Sequence, residues 1–330
     1  MPFTLFRLSF TTPLHISNPR SDYAKSETII HSDALYSAVF EAWSVLGKTN
    51  LIQEQISNLQ FAITSLFPFT KDDKNDYVYF FPKPMNVGYS NVPQSEQKTA
   101  KKVEFIDKDF FEKLRKEGSL GDYSKFVKGK FLTEKNITAD FIQSEVFPRV
   151  KIPRDGGDAE PYYVDRIFFK ENSGLFFLAQ FYNEEIKKEF ISALQYLADE
   201  GIGTDRHVGN GLFEFDKEEG FNFEETIQSG YSINLSLFCP NSDEINNILD
   251  DDKVAYEIIT RGGWITTPEY NTLRKKYIRI LKEGSVLKIN KNIDGRVVNI
   301  TPEKNKLPKH AKNIHPIYRV GKSIFLSVNL

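Results

Sequence analysis

The first 215 residues alternate between the apolar spacing of strands and that of helices in one order. Two segments have helical spacing: residues 32–47, behind a possible N-cap at Ser32, and residues 184–199, which end at Gly201. Strand-like segments precede, separate and follow them: 3–10, 58–67, 77–81, 162–170, 174–182 and 212–215. The order strand, helix, strand, strand, helix, strand predicts an α+β domain of the ferredoxin-like, or RNA-recognition-motif-like, kind.

A length of 330 residues is enough for about two such domains. Residues 162–170 and 174–182 are joined by three residues, which predicts a β-hairpin. Between residues 86 and 145 the periodicity fades, which indicates a long insertion. We therefore expect a first ferredoxin-like domain over residues 1–225 and a second domain, ferredoxin-like or mostly β, over residues 226–330.

Charge is distributed very unevenly along the chain. The 43 Lys and Arg and 45 Asp and Glu leave a net charge of −2, which by itself argues against a nucleic-acid partner. Residues 271–322, however, hold 14 Lys and Arg against three acids, so this stretch carries +11 and the other 278 residues carry −13. Such a stretch binds a polyanion on one face, or else forms a solvated lysine-rich surface or meets acidic neighbours.

Several classes of protein are excluded or disfavoured by composition. A single cysteine, Cys239, rules out an intrachain disulfide and a cysteine-rich zinc site. The five histidines lack metal-site spacings, so we expect neither a metal nor a cofactor. The sequence has no apolar run near 18 residues and no signal-peptide pattern, so we expect a cytoplasmic protein without a membrane partner.

The most informative segment is a glycine-rich loop, GIGTDRHVGNGLFEF, which begins at residue 201. Three glycines are expected to let the backbone approach a ligand closely: Gly203, Gly209 and Gly211. Arg206 and His207 would supply positive charge beside them. The loop follows a helix and opens a strand, the reverse of a dinucleotide-binding loop, so a linear phosphate backbone is the better ligand. The alternative is a glycine-rich connection without a ligand.

The segment PRVKIPR carries three cations at alternate or near-alternate positions: Arg149, Lys151 and Arg154. If Val150 and Ile152 point into the core, these cations share an outward face that suits a phosphate-tracking strand. An exposed basic edge that prevents strand pairing explains the same pattern.

The start of the first predicted helix is a third candidate. His31 and Ser32, with the helix N-terminus, are positioned for a phosphate contact, although capping or local hydrogen bonding is the alternative. Because histidine titrates near neutrality, His31 or His15 is also the candidate acid or base if the protein cuts RNA.

Nine segments resemble, in order, the RAMP subunit that caps the crRNA 5′ handle in type III-A (Csm) CRISPR effector complexes. They are LHIS, IHSDALYSAVFEAW, SLFPF, YFFPKPM, FPRVKIPRD, GIGTDRHVGNGLF, RGGW, KEGSV and HPIYRVG. The glycine loop is shared by many RAMP proteins, whereas FPKP, PRVxxxR and HPxYRxG together narrow the resemblance to this subunit.

The resemblance implies two RNA-recognition-motif-like domains that grip the crRNA handle without catalysis, in antiviral defence. It implies a thumb, here within residues 86–145, that bends the RNA where the handle meets the guide. It also implies docking on the large polymerase-like subunit and on the repeated backbone RAMP subunit. The alternatives are a RAMP endoribonuclease that processes precursor crRNA, the equivalent capping subunit of a type III-B complex, the cap at the 3′ end of the same assembly, and a pure scaffold.

Overall fold

The structure, a computed structural model, describes most of the 330-residue chain. The described residues are 2–17, 24–88, 91–153, 158–223, 227, 229–265, 270, 273–289, 293, 295–303, 307 and 315–330. They include six α-helices and eighteen strands. Among them no helix is both long and apolar enough to cross a membrane.

The elements are numbered in chain order. The helices are α1 (Ser32–Val45), α2 (Thr49–Ser57), α3 (Gln97–Ala100), α4 (Lys108–Glu117), α5 (Glu184–Glu200) and α6 (Ile245–Leu249). The strands up to residue 221 are β1 (Phe3–Phe10), β2 (Phe61–Ile63), β3 (Phe67–Lys71), β4 (Tyr77–Pro82), β5 (Phe105–Asp107), β6 (Val127–Lys128), β7 (Phe131–Leu132), β8 (Ile142–Lys151), β9 (Glu160–Phe169), β10 (Gly174–Phe181) and β11 (Phe213–Phe221). The later strands are β12 (Tyr231–Asn234), β13 (Ile258–Arg261), β14 (Ile278–Leu281), β15 (Val286–Lys288), β16 (Arg296–Asn299), β17 (Tyr318–Gly321) and β18 (Phe325–Ser327).

The predicted β-α-β-β-α-β order is present in the first half of the chain. Strands β11, β1, β10 and β2 lie side by side in that order, and each pair is antiparallel. Because alternate side chains of a strand point to opposite faces, Phe6, Leu8 and Phe177 share one face. They pack there against apolar residues of α1 and α5, including Val39 and Leu194. The α+β class is therefore confirmed.

The predicted hairpin of residues 162–170 and 174–182 is wrong, although both strands exist. β9 pairs along ten residues with β8, whereas β10 lies between β1 on one side and β2 and β3 on the other. The sequence of β10 explains its place, because Leu175–Ala179 is buried on both faces, as a central strand must be. β8 and β9 instead form a two-stranded ribbon, here called the β8–β9 ribbon.

Residues 86–145 are a long insertion, but most of their secondary structure is packed against the sheet. Strands β5, β7 and β6 continue the sheet beyond β4, and Phe111 and Leu114 of α4 are buried in its core. The sequence period fades here because these strands have only two or three residues each. The element that extends into solvent is the β8–β9 ribbon, most of whose residues are exposed.

The second half of the described chain is mostly β. It forms a three-stranded sheet in the order β15-β12-β18 and two hairpin-like pairs, β13 with β14 and β16 with β17. Ile233 and Leu326 of this half belong to the same hydrophobic cluster as Leu5 and Phe176 of the first half. The two halves therefore share this cluster, on the side of the first sheet opposite α1 and α5, and Val320 of β17 also joins the cluster that contains α1 and α5.

Candidate nucleic-acid interface

The glycine-rich loop is shaped mainly by the needs of the protein's own backbone. It follows α5 and includes one turn of 3₁₀ helix at Arg206–Val208. Gly203 has a φ of +111°, and a Cβ there would lie 2.7 Å from the carbonyl oxygen of His15. Gly211 has a φ of +76°, and its Cβ would overlap the carbonyl oxygen of Ile202. Gly203 and Gly211 are needed because another part of the backbone lies where a Cβ would be. The fold therefore explains both glycines without the predicted ligand.

Gly209 is different from the other two predicted glycines. Its φ is +79°, but no atom lies within 4 Å of a Cβ built there. Gly209 is exposed together with His207 and Val208, so these three residues form the accessible tip of the loop. A ligand that approaches the loop meets this tip first.

Two ion pairs connect the loop to its neighbours. The guanidinium of Arg206 pairs with the carboxylate of Glu41 on α1. The preceding residue, Asp205, pairs with Arg149 of β8, with 3.1 Å between Oδ2 and Nη1. Arg149 and Arg206, both predicted RNA contacts, are therefore brought together, and both remain partly exposed.

The β8–β9 ribbon has one face rich in cations and aromatic rings. Its register places Arg149 opposite Tyr162 and Lys151 opposite Glu160. By strand alternation the same face carries Phe147, Arg149, Lys151, Tyr162, Arg166 and Phe168, together with Glu145 and Glu160. The guanidinium of Arg166 lies 5.0 Å from the centroid of the Phe147 ring. Alternating cations and rings are what a single-stranded nucleic acid requires of a protein surface.

The opposite face of the ribbon enters the core only at its base, through Ile167, and not at its outer end. Val150 and Ile152 are 57% and 77% exposed, so the expectation that they point inward is wrong. Arg149 and Lys151 nevertheless share a face, as predicted, because the strand alternates whether or not its other side is buried. Lys151 lies 3.5 Å from Glu160, and both side chains are largely exposed. Arg154 lies outside the described residues.

Lys275, in the basic C-terminal stretch, lies within the electrostatic influence of Glu41 on α1. Burial lowers the pKa of Lys275, and the negative charge of Glu41 partly offsets this effect. Glu41 therefore interacts with both Lys275 and Arg206, and cations from the two halves of the chain converge on α1. We call the set Arg149, Lys151, Tyr162, Arg206, His207 and Lys275 the cationic surface. Glu41 lies within the IHSDALYSAVFEAW segment, but sequence reasoning did not single it out.

Ser32 lies inside the protein and not on this surface. Its Oγ accepts a hydrogen bond from the Leu237 N–H at 3.0 Å, and its own N–H donates to the Ser65 hydroxyl at 2.8 Å. The helix begins at Ser32, with His31 as its N-cap residue. The second half of the chain thus covers the N-terminus of α1, and the predicted phosphate contact there is corrected to a contact between the two halves.

His31 is buried between two carboxylates. Its Nδ1 lies 2.6 Å from Oε1 of Glu283, and its Nε2 lies 3.1 Å from Oε2 of Glu27. Burial opposes a charge on the imidazole, but the Glu283 charge and the hydrogen bonds to both carboxylates raise the pKa of His31 above its ordinary value. His31 therefore acts as a buried cation that joins α1 to the segment between β14 and β15, and its predicted role in binding RNA is corrected.

Asp33, next along the helix, is enclosed by two arginines. Arg261 donates to both carboxylate oxygens at 3.0 Å from Nε and Nη2, and Arg319 donates to one of them. Arg319 also donates to the carbonyl oxygen of Gly262 at 3.1 Å. Burial lowers the pKa of Arg319 to about 10, so it remains charged at neutral pH. The segments RGGW and HPIYRVG thus contribute a buried ion-pair network, here called the Asp33 network.

Neither histidine proposed as an acid or base of RNA cleavage is accessible. His15 is buried, with Nδ1 2.7 Å from the carbonyl oxygen of Asp165, and His31 is buried as described above. Within the described part of the chain, no group of three or more His, Cys, Asp or Glu side chains is arranged to hold a metal ion.

Comparison with known families places the chain in one of them. Residues 7–214 match the model of the RAMP superfamily, and residues 227–328 match that of the CRISPR Csm4 C-terminal domain. The chain belongs to the RAMP superfamily. Its C-terminal part is similar to that of Csm4 proteins, as its sequence motifs indicate, and two curated relatives carry the same name.

Both relatives bear the name CRISPR system Cms protein Csm4. The one from Methanocaldococcus jannaschii is 27% identical over 362 aligned positions, which span 92% of each chain. The one from Thermococcus onnurineus is 26% identical and aligns with 79% of this chain and 82% of its own.

Two solved structures have a similar fold over the whole chain. A Csm3–Csm4 subcomplex of the type III-A CRISPR-Cas interference complex matches with a TM-score of 0.64 and 22% identity, covering 100% of both chains. A Csm1–Csm4 cassette in complex with AMPPNP matches with a TM-score of 0.63 and 19% identity, covering 100% of this chain and 99% of the other. At these identities the match shows the fold.

Two glycines of the loop provide a stability test. Gly211→Ala must place a Cβ against the Ile202 carbonyl at positive φ, so we expect a loss of about 3 kcal/mol or more. Gly209→Ala is the matched control, since it has a similar φ but open space, and should cost about 1–2 kcal/mol. Urea unfolding without RNA measures both. Equal losses would mean that backbone contact is not what requires Gly211.

The stability contributed by His31 should depend on pH. Its raised pKa means that the folded protein holds the proton more tightly than the unfolded chain. The contribution is therefore complete below about pH 6.5 and is lost as the pH rises through the raised pKa. We expect the difference in unfolding free energy between wild type and His31→Gln to shrink as the pH increases above about 6.5. A difference that grows with pH would contradict the buried cation.

Proposed function

We propose that this protein is the crRNA 5′-handle-binding subunit of a type III-A (Csm) CRISPR interference complex and has no catalytic role. The observation that carries the proposal is the cationic surface, on which Arg149 and Arg206 come from separate parts of the chain and are held at the glycine loop by Asp205 and by Glu41 of α1. The Csm4-type family match supports the same function.

The chemistry of the surface suits a single-stranded RNA end. Unpaired nucleotides are held by cations that contact phosphates and by rings or guanidinium planes on which bases stack. Arg206 and His207 offer charge at the loop, and Arg149 lies beside Tyr162 on the ribbon. The carboxylates of Asp205 and Glu41 hold Arg149 and Arg206 in place before RNA binds, and phosphates would replace them as partners.

The β8–β9 ribbon suits the thumb role that family resemblance assigns to a projecting segment. Its outer part is exposed on both faces, so it can insert beside or between nucleotides. Residues 86–145 do not offer such a segment in the described chain, because their strands and α4 pack against the sheet. We therefore assign the bending of RNA between handle and guide to the ribbon.

Protein partners follow from the relatives and from the charge distribution. The solved structures of similar fold contain Csm4 together with Csm1 or with Csm3. We infer that this chain docks on the large polymerase-like subunit and on the backbone RAMP subunit of its own complex. The −13 charge outside residues 271–322 leaves acidic surface for basic partners.

The two histidines proposed for the endoribonuclease alternative are not accessible. A general acid or base must reach the reacting proton within hydrogen-bond distance. His15 and His31 are both buried and engaged within the protein, which supports a noncatalytic role.

Binding of RNA should depend on Arg206. We expect Arg206→Ala to weaken the affinity for single-stranded RNA that carries the repeat-derived 5′ handle by about 1–3 kcal/mol if the guanidinium contacts a base edge. Lys113→Ala is the charge-matched control, because this exposed lysine lies on α4 and outside the cationic surface. Fluorescence anisotropy at fixed salt measures both affinities. Equal effects of the two variants would count against the proposed interface.

Repeat RNA should remain intact in the presence of the purified protein. Without metal we expect no discrete product, since the interface has only one histidine, His207, in its described part. A denaturing gel of end-labelled repeat RNA is the measurement. A defined product that disappears with His207→Ala would replace the noncatalytic proposal by the endoribonuclease alternative.

A further inference from the structure

A cluster of exposed aromatic and basic side chains lies at the end of the β13–β14 hairpin. Trp264 and Tyr277 are each 50% exposed, although large aromatic rings are usually buried. The guanidinium of Arg274 lies 4.5 Å from the Trp264 ring centroid, and its Nη1 donates to the Tyr277 hydroxyl at 3.0 Å. Arg274 therefore connects the two rings into one unit, here called the aromatic platform.

The backbone holds this platform in a defined shape. Trp264 and Arg274 form a β-bridge, and the Lys275 N–H donates to the Gly263 carbonyl at 2.9 Å. A Cβ at Gly262 would overlap the Tyr277 ring, so glycine at this position makes room for that ring. The RGGW segment thus contributes Trp264 to the platform and, through Gly262, makes room for Tyr277.

The platform is fixed to the same helix as the glycine loop. Arg261, three residues before Trp264, is bound to the buried Asp33 of α1. Lys275, next to Arg274, interacts with Glu41 of the same helix, which is also the partner of Arg206. The hairpin therefore runs beside α1, and the platform adjoins the cationic surface.

The charge around the platform is positive. Residues 273–281 contain four cations and no acid: Arg274, Lys275, Lys276 and Arg279. The facing segment 258–265 contains no acid either. A polyanion is attracted to such a hairpin, whereas a neutral apolar partner would leave these charges unpaired.

We infer that the aromatic platform is a stacking site for an unpaired base of the bound RNA, with Trp264 as its principal ring. The inference rests on the proposed function and extends it by a specific contact in the second half of the chain. Unpaired bases stack on tryptophan, tyrosine and arginine planes, and the cations beside the platform can hold the adjoining phosphates.

Intrinsic fluorescence gives a direct reading of this site. The chain has two tryptophans, and Trp43 is fully buried, so Trp264 is the one that a ligand can reach. We expect single-stranded handle RNA to quench the Trp264 emission of the full chain. Trp264→Phe, which keeps a ring but removes the indole, should lose the quenching.

Removing the ring should weaken binding. We expect Trp264→Ala to reduce the affinity by about 5- to 150-fold, the range measured when a stacking ring is truncated. RNAs with one abasic position each then locate the base. At one position the abasic RNA should bind wild type more weakly, and Trp264→Ala should cause no further loss.

The outcomes separate this inference from the proposed function. If Arg206→Ala weakens RNA binding but Trp264→Ala does not and RNA leaves the fluorescence unchanged, the platform is overturned while the handle-binding function stands. If wild type does not bind handle RNA, both fail. If the large subunit without RNA shields Trp264 from acrylamide quenching and RNA does not, the platform is a protein contact and the inference is overturned.

Discussion

The buried pairing of Asp33 with Arg261 and Arg319 is the interaction on which the arrangement of this protein depends. A carboxylate and two guanidinium groups removed from water are tolerated only when they satisfy one another. Asp33 stands at the start of α1, whereas the arginines come from β13 and β17 of the second half. The two halves therefore meet in one orientation, and the buried pair of His31 and Glu283 adds a second point of attachment.

The Asp33 network also affects the surroundings of Glu41, further along α1. Asp33 and Glu41 are eight residues apart, about 12 Å along α1. The hairpin β13–β14 is held at Asp33 by Arg261, and its Lys275 is influenced by the charge of Glu41, to which Arg206 of the glycine loop is bound. The surface that we assign to RNA is thus assembled from both halves, and a buried network out of reach of RNA determines its geometry.

The sequence predicts the elements with strong periods and misses those whose place depends on distant contacts. The patterns of β1, α1, α5 and β11 identify these elements because their apolar residues pack on one sheet. The pairing of β9 with β8 was not predictable from local spacing, since a short loop to β10 favours a hairpin until the burial of β10 on both faces is known.

Some residues of the candidate site could likewise be predicted from the sequence, and others could not. Arg149 and Arg206 are recognisable as cations in short motifs, and the structure brings them together. His31 and Ser32 also belong to a recognisable motif, but in the structure they join the two halves. Polar residues at the start of a helix can bind a ligand or a buried partner, and the sequence pattern is the same in both cases. The roles of Glu41 and Trp264 can be recognised only from the structure, which shows how α1 and the β13–β14 hairpin are arranged.

The most direct measurement is a cryo-electron microscopy map of the assembled complex with its guide RNA. The account predicts density for the single-stranded 5′ handle along the cationic surface, from the β8–β9 ribbon past Arg206 to Lys275. A map in which this surface is covered by another protein subunit, with the handle bound elsewhere, would contradict it.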